Sequence, residues 1–202
     1  MKITDDIIKA LKPCKNRYEN FTLNYPNFSG DAAEFLNLEN ITYEDKIWVM
    51  TRLLTKNQNT KWAISCAYSV LPIFEKEHPS NNGPRELLEF MSSLKDFEHI
   101  SVKDLDKLKK LRAAAADTAP AVAAGYAAAA VYAAHTAAAY AAAYAADAVY
   151  AAYAAHAVSA AAGYAAACVV GAYAAGYAHA FNNAKKTQQD LNLKLLLEIL
   201  TE

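Results

Sequence analysis

The chain has 202 residues, with 20 basic and 21 acidic side chains and a formal net charge of −1. That length suits one domain with a real core, and near-neutrality excludes both the basic footprint of a nucleic-acid binder and the polyanionic surface of a nucleic-acid mimic. The charges are concentrated in residues 1–112 and 185–202, so the stretch between them is expected to lie mostly inside.

The first residues, Met1-Lys2-Ile3-Thr4-Asp5-Asp6-Ile7-Ile8, are acidic and amphipathic and carry none of the parts of an export signal, which implies a cytoplasmic protein. Thr4 or Asp5 caps a helix that runs to about Lys12 and is stopped by Pro13. Tyr25-Pro26-Asn27-Phe28-Ser29-Gly30 is a turn, and Asp31 with Glu34 forms a capping box for a short helix through Leu38. Thr42 with Asp45 repeats that start signal ahead of Ile47, Trp48, Met50, Thr51 and Leu54.

A third long helix begins near Asn59 or Thr60, with Trp62, Cys66, Val70, Ile73 and Phe74 as one apolar stripe. Pro72 falls on that stripe's path. Because the stripe continues through it, the proline is expected to bend the helix and not to end it before His78-Pro79. After the polar loop Ser80-Asn81-Asn82-Gly83, Pro84 takes a first-turn position and Leu87, Leu88 and Met91 face inward. Ser101 caps the next helix, whose Leu105, Leu108 and Leu111 precede the alanines.

Between Arg112 and Asn182 there is no Lys, Arg, Glu, Asn or Gln, and alanine predominates among scattered tyrosines. Alanine combines the highest helix propensity with the smallest helix-compatible side chain, so this tract predicts helices that approach one another closely. Asp117-Thr118-Ala119-Pro120 is the best break. A single straight helix over the next sixty or so residues would span ~90 Å, too long for a domain of this size, so the tract must fold back. The stripe containing Tyr150, Tyr153, His156, Tyr164 and Cys168 gives way to one containing Val170, Tyr173, Tyr177 and Phe181, which places a break between Gly163 and Gly171; Ala146-Asp147 is the alternative. A membrane span is disfavoured by Asp117, Asp147, His135, His156, His179 and the many tyrosines. Asn182-Asn183 closes the tract, and a last helix from about Ala184 through Leu200 docks through Leu191, Leu195 and Ile199. The expected fold is therefore an all-α bundle with a closely packed Ala/Tyr-rich core, in one domain over 1–202: amphipathic helices in 1–112, Ala/Tyr helices in 113–183 and a docking helix in 184–202.

No motif for catalysis or a cofactor emerges. His135, His156 and His179 lack the i, i+4 pairing that sets two ligands on one helix face, so no metal is expected. Cys14, Cys66 and Cys168 have neither disulfide-framework nor zinc spacing and read as free thiols, with Cys66 on an apolar stripe. The glycines of the tract are isolated, so no phosphate loop is present. Tyrosine and histidine remain, either packing against one another or lining a cavity for an aromatic or nucleotide-like ligand. The candidate binding residues are His135, Tyr144, Tyr153 and His156, together with Arg85. Arg85 faces Glu75 across the Pro79–Pro84 loop, where it either staples two helices or meets a partner.

The run Trp62-Ala63-Ile64-Ser65-Cys66-Ala67-Tyr68-Ser69-Val70-Leu71-Pro72-Ile73-Phe74-Glu75, then His78-Pro79, Pro84-Arg85 and an Ala-rich helical region, resembles the immunity-five-like family of immunity proteins associated with bacterial polymorphic toxin and contact-competition loci. The likeness in character extends to about Phe181. Two departures mark this chain: Ser-Asn-Asn-Gly stands before Pro84 where acidic residues are expected, and the tract carries tyrosine where relatives often have arginine. The resemblance implies a cytoplasmic, non-enzymatic protein that binds and neutralises a cognate protein toxin, with no cofactor, nucleic acid or membrane as partner. The rival readings are a helical protein that sequesters a small ligand as a defence or anti-defence factor, and a structural or oligomerisation module. A leftover Ala/Tyr face would make the chain a homo-oligomer.

Overall fold

Thr4 ends one element and starts the next. In the computed structural model, which describes residues 1–77, 79–97, 99–117 and 174–201, β1 (Lys2–Thr4) pairs antiparallel with β2 (Ser29–Asp31), matching Lys2 with Asp31, Ile3 with Gly30 and Thr4 with Ser29. The Thr4 hydroxyl then accepts a hydrogen bond from the Ile7 amide at 3.3 Å and caps α1 (Asp5–Ala10). This two-stranded ribbon was not expected from the sequence: three-residue strands are too short for an alternating pattern, and Ile3, fully buried, is its one core contact. The first helix also stops short of Lys12. That residue precedes Pro13, whose ring disfavours helical backbone before it, and it adopts a left-handed φ of 56°.

Gly30 is required by space. A β-carbon there would lie 2.7 Å from both the Glu34 carboxylate and the Phe28 ring. The carboxylate cannot withdraw, because it accepts from the Asp31 amide at 2.7 Å while Asp31 accepts from the Glu34 amide at 2.8 Å, the expected capping box of α3 (Ala32–Leu36). Phe21 of α2 (Lys15–Asn24), Phe28 and Phe35 form an aromatic knot with ring centroids 5.9–6.3 Å apart, which seals the ribbon onto the helices.

The main body is helical, as expected, with eight helices among the described residues. In α4 (Tyr43–Leu53), Thr42 accepts from the Asp45 amide at 3.2 Å, and Ile47, Val49, Met50 and Thr51 are buried. Arg52 reaches back over the Trp48 ring at 4.0 Å, so that tryptophan packs at the edge and not in the core. The central helix α5 (Lys56–Glu77) begins earlier than its apolar stripe suggests. Thr55 and Gln58 form a reciprocal cap, the Gln58 amide donating to the threonine hydroxyl at 3.2 Å and the Thr55 amide to the glutamine oxygen at 3.0 Å. Thr-x-x-Gln is a start signal in its own right, although no apolar residue follows it until Trp62.

Trp62 and Cys66 are fully buried as expected, but Ala63, Ile64, Ala67 and Leu71 are buried too, so α5 is covered on more than one side. Helices α6 (Gly83–Ser93) and α8 (Ala174–Thr201) both pack on it, and α7 (Val102–Asp117) packs on α6. Leu87, Leu88 and Met91 of α6 and Leu108 of α7 supply the facing core, while Leu105 and Leu111 are half-buried. Among the described residues, no helix is long and apolar enough to cross a membrane.

Helix runs on both sides of Pro72 without an extended segment at 69–73, as the continuous stripe requires. The proline is exposed. Replacing it with alanine returns a backbone donor to the turn and removes the ring's clash with the Tyr68 carbonyl. Pro72→Ala is therefore expected to stabilise the fold by up to about 3 kcal/mol, read as a raised melting temperature.

The last helix departs most from expectation. It is already helical at Ala174, ten residues before Ala184, and runs through Asn182 and Asn183, which lie exposed on its surface. Asparagine costs well under ~1 kcal/mol in a helix interior, too little to stop an otherwise good helix. Its buried stripe is Gln188, Asn192, Leu196 and Ile199, not Leu191, Leu195 and Ile199, the first two of which are half-buried.

Candidate binding groove between α4 and α8

A chain of polar side chains sets how α8 sits. The Trp62 indole N–H donates to the Asn192 carbonyl at 2.9 Å, an acceptor that the surrounding apolar core does not offer. The Asn192 amide donates to the Tyr43 hydroxyl at 3.1 Å, and its side-chain oxygen accepts from Gln188 at 3.0 Å. Gln188 also donates to Ser69 at 2.8 Å, whose hydroxyl passes on to the Cys66 carbonyl at 2.7 Å. Helices α4 and α5 are joined through α8 in this way, and burial makes each bond expensive to lose.

With α8 held in that rotation, its next face comes opposite the first turn of α4. Asn182, Lys185, Lys186, Gln189, Asp190 and Leu193 recur at three- and four-residue steps along α8 and face Tyr43, Glu44 and Lys46. Between them lies a solvent-open groove of about 410 Å³. Lys46 is half-buried in its wall, and burial pushes its ammonium pKa down while the charge of Asp190 partly restores it. A second hollow, beneath the 3.1 Å ion pair of Arg17 and Asp45, has about 30 Å³ among Ile8, Phe21, Phe35 and Trp48, room for a water and not for a ligand.

Arg85 is the sequence-derived candidate that lies among the described side chains; His135, Tyr144, Tyr153 and His156 lie outside the described residues. Arg85 makes the paired contact with Glu75 that the loop geometry suggested, Nε to Oε1 at 2.6 Å and Nη2 to Oε2 at 2.8 Å. This fork ties the end of α5 to the start of α6, and neither residue lines the groove. The hydrogen bond from Arg85 holds the Glu75 carboxyl below its ordinary range, against the opposing effect of burial. A depressed carboxyl pKa contributes stability that is present above the ordinary carboxylate range and lost as pH falls through the depressed value. Glu75→Gln is accordingly expected to flatten the acid limb of the stability curve and to leave its neutral plateau lower; an unchanged acid limb would mean the pair contributes nothing.

Cys66 is fully buried and burial pushes its thiol pKa up, which suits a core residue and not a nucleophile. Cys14 is exposed, and Cys168 lies outside the described residues. Among the described residues no three histidine, cysteine or carboxylate side chains gather as a metal site. The groove residues were not singled out from sequence. The steps of three and four from Asn182 to Leu193 were visible, but Lys46 and Tyr43 join them only through tertiary packing. No family model, curated protein or solved structure matches the chain.

Proposed function

We propose that this protein is a non-enzymatic binding protein that acts in the cytoplasm and neutralises a cognate bacterial toxin by covering its active surface. The observation that carries this reading is the α4–α8 groove, an open strip of charged and polar side chains displayed along one helix face and steadied from beneath by buried hydrogen bonds. Such a strip offers contacts across a surface and does not enclose a reacting group; polar, water-accessible character of this kind is typical of the rim of protein interfaces. The Trp62-to-Arg85 pattern with its resemblance to immunity proteins supports the same reading.

The deciding experiment is co-expression with each product of the genes neighbouring this chain's own, as candidate toxins, followed by native mass spectrometry of the purified protein. Growth rescue with a stoichiometric protein complex is the expected result. Rescue without complex formation, or no rescue at full expression, overturns it; a retained small molecule in place of a protein favours the ligand-sequestering alternative.

A further inference from the structure

The groove carries an excess of positive charge among the described residues. Lys46, Lys185 and Lys186 line it against two carboxylates, Glu44 and Asp190, and none of the three lysines makes an ion pair with a carboxylate among the described residues. The segment 118–173 holds a single formally charged side chain, Asp147. Set against Glu44 and Asp190, the three ammonium groups leave one positive charge in excess among the described residues. The local excess is opposite in sign to the net charge of −1 for the whole chain.

We propose that the groove is the docking site for an acidic segment of the partner protein, a loop or helix end bearing several Asp or Glu side chains. This rests on the toxin-neutralising reading and adds the chemistry of the surface that is covered. Charge complementarity selects the occupant. Lys185 and Lys186 sit on α8 and Lys46 on α4, so an extended carboxylate-bearing segment lying along the strip meets both walls. Glu44 and Asp190 then repel a uniformly anionic ligand and fix the register of a segment whose acidic positions are spaced. A small phosphorylated ligand fits less well, since such pockets are enclosed and mostly apolar whereas this groove is open and lined by charged residues.

The probe is a fluorescein-labelled peptide of alternating glutamate and glycine, with its lysine–glycine counterpart as control, titrated by fluorescence anisotropy into the full chain. The combined variant Lys46→Gln, Lys185→Gln, Lys186→Gln is compared with Lys103→Gln, Lys109→Gln, Lys110→Gln on the exposed surface of α7, which removes the same charge elsewhere. The groove variant is expected to weaken acidic-peptide binding about tenfold, with an effect that shrinks as salt rises. The α7 variant is expected to bind as the parent does, and both should keep the parent's helical circular dichroism.

Equal losses in the two variants, equal binding of the lysine peptide, or no binding at low salt overturn the proposal. So does inorganic tripolyphosphate binding as tightly as the peptide, which would make this a small-anion site, or a dimer dissolved by the groove substitutions, which would make the occupant a second copy. Peptide binding lost with toxin protection retained in the groove variant refutes the docking site and leaves the immunity reading standing. Peptide binding without any protection by the parent chain does the reverse.

Discussion

Trp62→Ala is expected to lower the unfolding free energy by about 3–5 kcal/mol, the largest effect of any single truncation among the described core residues. Trp62 is the largest fully buried side chain among the described residues, so its removal empties space in the first half of α5 that the surrounding core fills only partly. It also takes away the indole donor to the Asn192 carbonyl. Trp62→Phe retains most of the ring volume and should cost less, the difference between the two variants separating volume from hydrogen bond. Denaturant unfolding followed by far-UV circular dichroism measures both. A cost below about 1 kcal/mol for Trp62→Ala would show that α5 is not the centre of the core.

Asn192→Ala is expected to cost about 2–4 kcal/mol, because it removes the donor to Tyr43 and the acceptor of Gln188 at a fully buried position. Leu195→Ala, at a half-buried position, should cost less, reversing the order that hydrophobicity alone would give. A double-mutant cycle of Gln188→Ala with Asn192→Ala is expected to show coupling, since the two amides share a bond of 3.0 Å. If Leu195→Ala proves the more damaging of the pair, α8 docks through its leucines and the groove beside it is lined by a different set of residues. The two α8 substitutions therefore test the site as well as the fold.

Helix starts were the most legible feature of the chain. Thr4, Asp31, Thr42 and Ser101 each cap the helix assigned to them, because a capping side chain bonds to amides two or three residues away and needs nothing from the rest of the molecule. The inward faces of α6 and of the first half of α5 were legible for a similar reason, since helical periodicity sorts Leu87, Leu88 and Met91 onto one side before any partner is known. Helix across Pro72 followed from the same continuity. The β1–β2 ribbon was not legible, since its six residues earn their pairing from a partner more than twenty residues away and from the glycine that lets Glu34 and Phe28 close over it.

The candidate site divides along the same line. Sequence by itself determined the helical class, the caps, the Arg85–Glu75 fork across a short loop, and the charge-poor character of the segment between Arg112 and Lys185, all of which depend on neighbours along the chain or on composition. Tertiary structure alone decided that α8 turns Gln188 and Asn192 inward, a choice opposed by hydrophobicity and made by an indole N–H in the core that needs an acceptor. That rotation, and not any local pattern, brings Lys185 and Lys186 opposite Lys46 and Tyr43, because residues some 140 positions apart become neighbours only when a buried hydrogen-bond network fixes the angle between two helices.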